Sequence, residues 1–142
     1  MKLDDFYLLP GDSPEKEHQL RPGELITEIR VPLLPWARRS LYLKIRDRES
    51  YEFALSSVAL ALDADANTIR DARLAVGGVG TKPWNLPNVR PELIGKPLNQ
   101  RTFEAAAKLA TEGARPLRDN AFKVELVQRT LVRALMNLGG IA

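Results

Sequence analysis

The stretch YLKIRDRESYEFALSS, residues 42–57, sets Lys44, Arg46, Asp47, Arg48 and Glu49 directly beside apolar sequence. Two kinds of chemistry fit such a run. It is either a solvated turn or a surface that meets a charged partner. Asp47, Glu49 and Glu52 are close enough in sequence to suggest acid–base work. That work needs one carboxylate buried and shifted, which spacing alone does not establish, so the bend is the plainer reading. GGVGTKP, residues 77–83, offers backbone N–H groups and a lysine to an anion. Its spacing is not that of a phosphate loop, no Ser or Thr follows Lys82, and no helix opens there. It reads as a flexible strand exit.

Other chemistries are excluded or weak. The chain has no cysteine, which removes disulfides, thiolate metal sites, iron–sulfur ligation and cysteine nucleophiles. Its one histidine, His18, lies in the polar run GDSPEKEHQ and reads as a solvated residue of a mobile loop. No catalytic residue and no metal ligand is assigned. Net charge is +3, with Lys and Arg interspersed among carboxylates. Nucleic-acid binders show a denser basic stripe with aromatics between the charges, so nucleic acid is not an expected partner. No apolar run approaches the ~18–20 residues of a membrane span. MKLDDFYLLPGD places acids where a signal peptide needs an apolar core, so it does not read as an export signal.

The elements that must position these residues fit one domain, since 142 residues at 44% hydrophobic content can bury a core without staples. Residues 1–23 read as an irregular lead-in. ELITEIRVP alternates Leu25, Thr27, Ile29 and Val31 against Ile26, Glu28 and Arg30, which predicts a strand closed by Pro32. SLYLKIR is a second strand and ALSSVALALDA a third. The third has Ala54, Ser56, Val58, Leu60 and Leu62 on one face and a small face on the other, suited to close helix packing. DADAN is a turn, and TIRDARLAVGGV a fourth strand whose Gly77 and Gly78 suggest a bulge near its end. The third and fourth strands should form an antiparallel hairpin. VRPELIGK is a short helix stopped by Gly95. NQRTFEAAAKLATEGA is a helix capped by Asn99 and ended by Gly113. DNAFKVELVQRTLVRALMNLGG is the longest helix, capped by Asp119 or Asn120, with Val127, Leu131, Ala134 and Leu138 on one face. The fold class is therefore α+β, with helices on one face of an antiparallel sheet. Trp36 and Trp84 in Pro-flanked loops, and Arg115 and Arg118 in RPLRD, are candidates for contact with another chain or covers for the sheet edge.

The succession FYLLPG, LRPGELITEIRVP, YLKIRDRESYEFALSSVALAL, IRDARLAVGGVGTKPW and RTLVRAL resembles the C-terminal domain of the FAD-binding (medium) subunit of molybdenum hydroxylases. That family includes xanthine dehydrogenase, aldehyde oxidoreductase and carbon monoxide dehydrogenase. The periplasmic-type aldehyde oxidoreductase flavin subunits look nearest. The resemblance implies an antiparallel sheet of three to four strands with a three-helix bundle on one face. It implies a junction over residues 1–23 and the domain proper over 24–142. The N-terminal FAD-binding domain of the family, with the Gly-rich loops that hold the FAD pyrophosphate, lies outside this chain.

The resemblance also implies a site. The strand over 41–45 approaches the flavin, and Lys44 falls where the family keeps a lysine near the isoalloxazine ring. Arg48 and Tyr51 fall where relatives keep polar residues on the flavin side. An ammonium there can stabilise a reduced flavin anion or orient the ring. Relatives often place Arg after KPW, where this chain has Asn85, so a contact with a neighbouring subunit would differ here. The implied partners are the N-terminal FAD-binding domain, a molybdopterin-binding large subunit and a [2Fe–2S] small subunit. The expected location is cytoplasmic, or periplasmic for an assembled complex. FAD is the implied cofactor, but one wall of its site should not hold it tightly, and the chain alone should be inactive. The sheet face that meets the missing domain should be exposed and could pair two copies of the chain. The alternative is a stand-alone protein-binding module of the same fold that uses the Trp loops and RPLRD.

Overall fold

The structure is a computed structural model that describes residues 1–141. Its sheet has four strands in the order β1-β2-β3-β4, all neighbours antiparallel: β1 Ser40–Ile45, β2 Ser56–Asp65, β3 Thr68–Gly77 and β4 Trp84–Asn85. Helix α1, Leu3–Phe6, precedes the sheet, and a 3-10 turn over Pro35–Arg38 leads into β1. Helices α2 Val89–Leu93, α3 Gln100–Leu109 and α4 Phe122–Gly139 follow it. Strands first and helices after is the expected α+β arrangement.

The β2–β3 hairpin is the backbone of the fold. Alternation puts Val58, Leu60 and Leu62 of β2 on the helix side, where all three are buried. In β3, Ile69, Ala72, Leu74 and Val76 are buried on that side too. Strict alternation would send Ile69 and Ala72 to opposite faces. A register shift at Asp63/Ala64 resolves this, because Asp63 pairs with Asp71 while Ala64 pairs with Ile69, leaving Arg70 as the extra residue. The bulge thus lies near the hairpin turn, not at Gly77 and Gly78 as the glycines suggest.

Helix α4 lies over β1 and β2, α2 lies on β3, and α3 packs against both helices. Phe103, Ala106 and Ala107 of α3 and Val127, Leu131, Ala134 and Leu135 of α4 complete the core. Burying each of the Phe, Val and Leu side chains among these is worth about 1.5–3 kcal/mol against leaving it in water. Asn99 caps α3 as expected, its side-chain oxygen accepting from the Thr102 N–H at 2.9 Å. Helix α3 ends at Leu109 rather than at Gly113, which sits in the following turn with φ +75°. Neither Asp119 nor Asn120 caps α4. Ala121 takes that position without a side-chain bond, and the Asn120 carboxamide oxygen instead accepts from the Leu117 N–H at 2.7 Å. At the other end Gly140 is left-handed, and Arg39 Nε donates to the Leu138 carbonyl at 3.0 Å.

Three further expectations change. The helices cover the large-residue face of β2, and the small face, with Ala59 and Ala61, is the open one. The reason is area, since the branched side chains gain most from burial. His18 is not in a mobile loop. It bridges Tyr7 in antiparallel fashion and stacks on Phe6 at 5.6 Å between ring centroids. ELITEIRVP forms no strand here. The chain runs from Glu24 to Leu34 without turn or bend, exposed throughout. Alternation predicts a strand only where a sheet edge is available, and this segment meets none.

Candidate flavin-facing surface

Leu41 and Leu43 of β1 pack against the core, so Tyr42 and Lys44 project to the open face. Lys44 is half-buried there and lies opposite Ser57 of β2, which in turn lies opposite Gly77 of β3. The next rung on that face is Tyr42, Ala59, Ala75 and Asn85. The middle of the open face is therefore built of Ser, Ala and Gly. It is a shallow shelf that a flat group can approach, edged by the Tyr42 ring and the Lys44 ammonium.

The charged run from Arg46 onward is an ordered bend. It closes where the Leu55 N–H donates to the Ile45 carbonyl at 2.8 Å. Inside it, the Arg48 N–H donates to Glu52 Oε2 at 2.9 Å and Arg48 Nη2 donates to the Tyr51 carbonyl at 2.8 Å. Tyr51 has φ +46°, a left-handed backbone that a tyrosine adopts at a cost of about 1–3 kcal/mol. Tyr51 is 97% exposed and Phe53 94% exposed. A bend that spends bonds and strain to hold two aromatics in water is built to present them.

The glycine exit underpins this bend. Gly78 has φ +75°, and a Cβ on it would lie 3.0 Å from the carbonyl oxygens of both Ala54 and Leu55. Lys123 Nζ, in the first turn of α4, donates to the Gly78 carbonyl at 2.8 Å. Thr81 Oγ1 donates to the Leu8 carbonyl at 3.0 Å, fixing the lead-in to the same exit. The two motifs that look most chemical in sequence thus sit side by side. GGVG supplies close approach and positive φ, not an anion cradle.

The predicted site residues are only partly gathered. Arg48 and Tyr51 are joined within the bend. Lys44 stands at its entry, and among the described residues it has no carboxylate within 4.0 Å. The residues missed in sequence are Tyr42, Ser57 and Phe53. Period-two alternation in SLYLKI does place Tyr42 beside Lys44. The exposure of Phe53 has no local signal.

The other marked residues lie elsewhere. Trp36 has the Arg73 guanidinium 5.8 Å from its ring centroid, a cation–π contact at the far end of the open face. Trp84 and Arg115 line one cavity of about 340 Å³, with Val76, Lys123 and Val127. Arg118 pairs with its neighbour Asp119 at 3.0 Å. Asp71 accepts from Arg90 Nε at 2.7 Å and Arg73 Nη1 at 3.0 Å. The Arg90 hydrogen bond is the main reason its carboxyl titrates below the usual range. Among the described residues no cluster of His, Asp and Glu could hold a metal, and no helix is long and apolar enough to cross a membrane.

This is an α+β domain with one sheet face sealed by helices and the other left open beside a structured, charged bend. The sequence model of the CO dehydrogenase flavoprotein C-terminal domain matches residues 41–138. The chain belongs to that family. It is 39% identical over 133 residues to the aldehyde oxidoreductase FAD-binding subunit PaoB of Escherichia coli K12, an alignment covering 94% of this chain and 38% of that protein. It is 38% identical over 98 residues to the glyceraldehyde dehydrogenase medium chain of Sulfolobus acidocaldarius, covering 69% of this chain and 34% of that one. A reconstituted CO dehydrogenase from Oligotropha carboxidovorans shares the fold with a TM-score of 0.80 at 22% identity, over 97% of this chain and 48% of that one. The chain thus spans between about a third and a half of the length of the curated relatives it matches.

Proposed function

We propose that this chain forms one wall of the FAD site in a flavoprotein subunit of a molybdenum hydroxylase, and that the open sheet face and the bend 46–54 are that wall. The observation that carries the reading is the placement of Lys44. Among the described residues it has no ion-pair partner, and it stands at the edge of a shelf of small residues, next to a bend that holds its aromatics outward. The residues fit one side of a flavin. The shelf accepts a planar ring, and Lys44 can offset negative charge beside it. FAD, when bound, would accept electrons and pass them on. Lys44 would stabilise the added charge, Arg48 would hold the bend through the Tyr51 carbonyl, and Tyr51 would shield the ring from water.

The remaining contacts would come from the FAD-binding portion that lies outside this chain. In an assembled enzyme the further partners would be a molybdopterin-binding large subunit and a [2Fe–2S] small subunit, with this domain offering docking surface for electron transfer to FAD. Substrate choice would rest with the large subunit.

The test is reconstitution. The chain should be fused in place of the matching C-terminal part of the E. coli relative and the purified chimaera assayed for bound flavin. Stoichiometric FAD supports the reading. A folded chimaera without flavin contradicts it. The stand-alone binding module is the second reading. It is favoured only by the cavity that Trp84 and Arg115 share, and capture of flavin by the chimaera would not be expected from it.

A further inference from the structure

The helices cover the sheet less completely at its β4 end than elsewhere. Trp84 lies opposite Val76 in the register, so its indole stands on the helix side, where Val76 is buried. Gly80 runs along the ring edge, where a Cβ would meet Trp84 Cε3 at 3.8 Å. The connection from α3 to α4 passes this corner as Thr111, Glu112, Gly113 and Ala114, side chains too small or too polar to fill it. Gly113 has φ +75°, and a Cβ on it would touch nothing within 4 Å. What remains is the cavity of about 340 Å³. Val76, Val124 and Val127 make its apolar floor, and Trp84, 42% exposed, makes a wall. Arg115 and Lys123 also line it, and Glu112 is the one carboxylate among the lining residues. Among the described residues neither Arg115 nor Lys123 has a carboxylate within 4.0 Å. Lys123 spends one of its three donors on the Gly78 carbonyl, at 2.8 Å.

We infer that this cavity binds a small organic acid, a carboxylate carried on a flat apolar body. Its volume falls at the lower end of the ~300–1,000 Å³ of small-molecule sites, which are mostly apolar with a few placed polar groups. The indole offers a face to stack on, and the valines bury what lies against them. The carboxylate follows from the charges. Two cations against the single carboxylate of Glu112 leave the lining net positive. The Arg115 guanidinium can take both oxygens of a carboxylate in one fork. Lys123 keeps donors for the same group without giving up Gly78. A cationic ligand would gain from Trp84 and Glu112, but Arg115 and Lys123 would repel it. A bare phosphate would satisfy the cations and leave the valines and the indole in water. The site lies on the sheet face opposite the shelf beside Lys44, and it does not depend on the flavin reading.

The test is an NMR titration of the full chain, followed at its backbone amides and indole N–H groups, with three probes of similar shape: naphthylacetate, naphthylethanol and naphthylethylamine. The acetate should shift the Trp84 indole and the Val127 amide with a dissociation constant of about 1 mM or lower, and leave Trp36 unmoved. It should bind at least about 5-fold more tightly than the alcohol or the amine. Arg115→Gln, at an exposed position, should erase that preference while the alcohol binds as before. Arg118→Gln, on the same connection but outside the lining, should change neither. No shift at about 10 mM acetate, equal affinity for acetate and alcohol, or shifts centred on Trp36 would overturn the inference. An equal loss from Arg118→Gln would do so too, by reducing the effect to general charge. The same titration on the chimaera described above tests the site in the larger protein. Shifts at Trp84 there support it, whether or not FAD is bound. Their absence in a folded chimaera means that the rest of the subunit fills the cavity, which overturns the site and leaves the flavin reading standing.

Discussion

Ser57 and Gly77 face each other across β2 and β3 with no room for a side chain between them: a Cβ on Gly77 would lie 2.6 Å from Ser57 Oγ. That closeness keeps the middle of the open face flat beside Lys44. The two glycines of the exit are not equivalent, however. Ser57 Oγ can rotate away, whereas the Ala54 and Leu55 carbonyls that crowd Gly78 are backbone.

Gly78→Ala should therefore cost about 1–3 kcal/mol, from positive φ and from carbonyl clash together. Gly77→Ala should cost less, and Ser57→Ala should remove most of its cost. A double-mutant cycle by urea unfolding measures this. Additive costs for Ser57 and Gly77 would mean that the contact is not what keeps position 77 a glycine.

Phe103 is fully buried between the helices, and its ring edge reaches Gly139 of α4. Phe103→Ala should destabilise by about 3–5 kcal/mol. Ile29→Ser, in the exposed segment, should change the stability of the chain alone by no more than ~0.5 kcal/mol. The contrast separates apolar residues that hold this domain from those that do not. Thermal or chemical unfolding of both variants reads it.

Asp71 is held ionised by Arg90, with Arg73 adding to the effect. Its carboxyl titrates lower in the folded chain than in the unfolded one, so the unfolded state binds the proton more readily. The stabilisation is present above the ordinary value of 3.8 and is lost as pH falls through the lower folded value. Asp71→Asn should shift stability modestly at neutral pH and flatten the acid limb of the stability profile. An acid limb unchanged by the substitution would refute the assignment.

The chain alone should bind FAD weakly. A flavin touching only the open shelf would leave most of its surface in water, and sites that hold such ligands bury most of it. Fluorescence titration checks this, and a submicromolar dissociation constant would contradict it.

Much of this was readable in sequence, for physical reasons. The β2–β3 hairpin is legible because alternation on both sides agrees with the DADAN turn. Asn99 is legible as a cap because only a short polar side chain at that position can reach the Thr102 N–H. The bulge at Arg70 is hidden, since Ile69 and Ala72 break parity without a glycine to mark it. The open face is misread because small residues suit either a close helix or a partner outside the chain. Residues 25–33 show why alternation alone is incomplete evidence, because it marks a segment suited to a strand and not whether a sheet edge lies beside it. Within the candidate site, Lys44, Arg48 and Tyr51 rest on likeness to a family. Tyr42 and Ser57 follow from the register.

The measurement that tests the central proposal most directly is the reduction potential and visible spectrum of FAD in the chimaeric subunit, with Lys44 and with Lys44→Ala. An ammonium beside the ring is worth on the order of 1 kcal/mol to a reduced, anionic flavin, or roughly 40 mV for one electron. The proposal predicts a potential lowered by about that amount and a shifted spectrum, with FAD content retained. A potential and a spectrum that both stay where they were would place Lys44 away from the flavin and the wall on another surface.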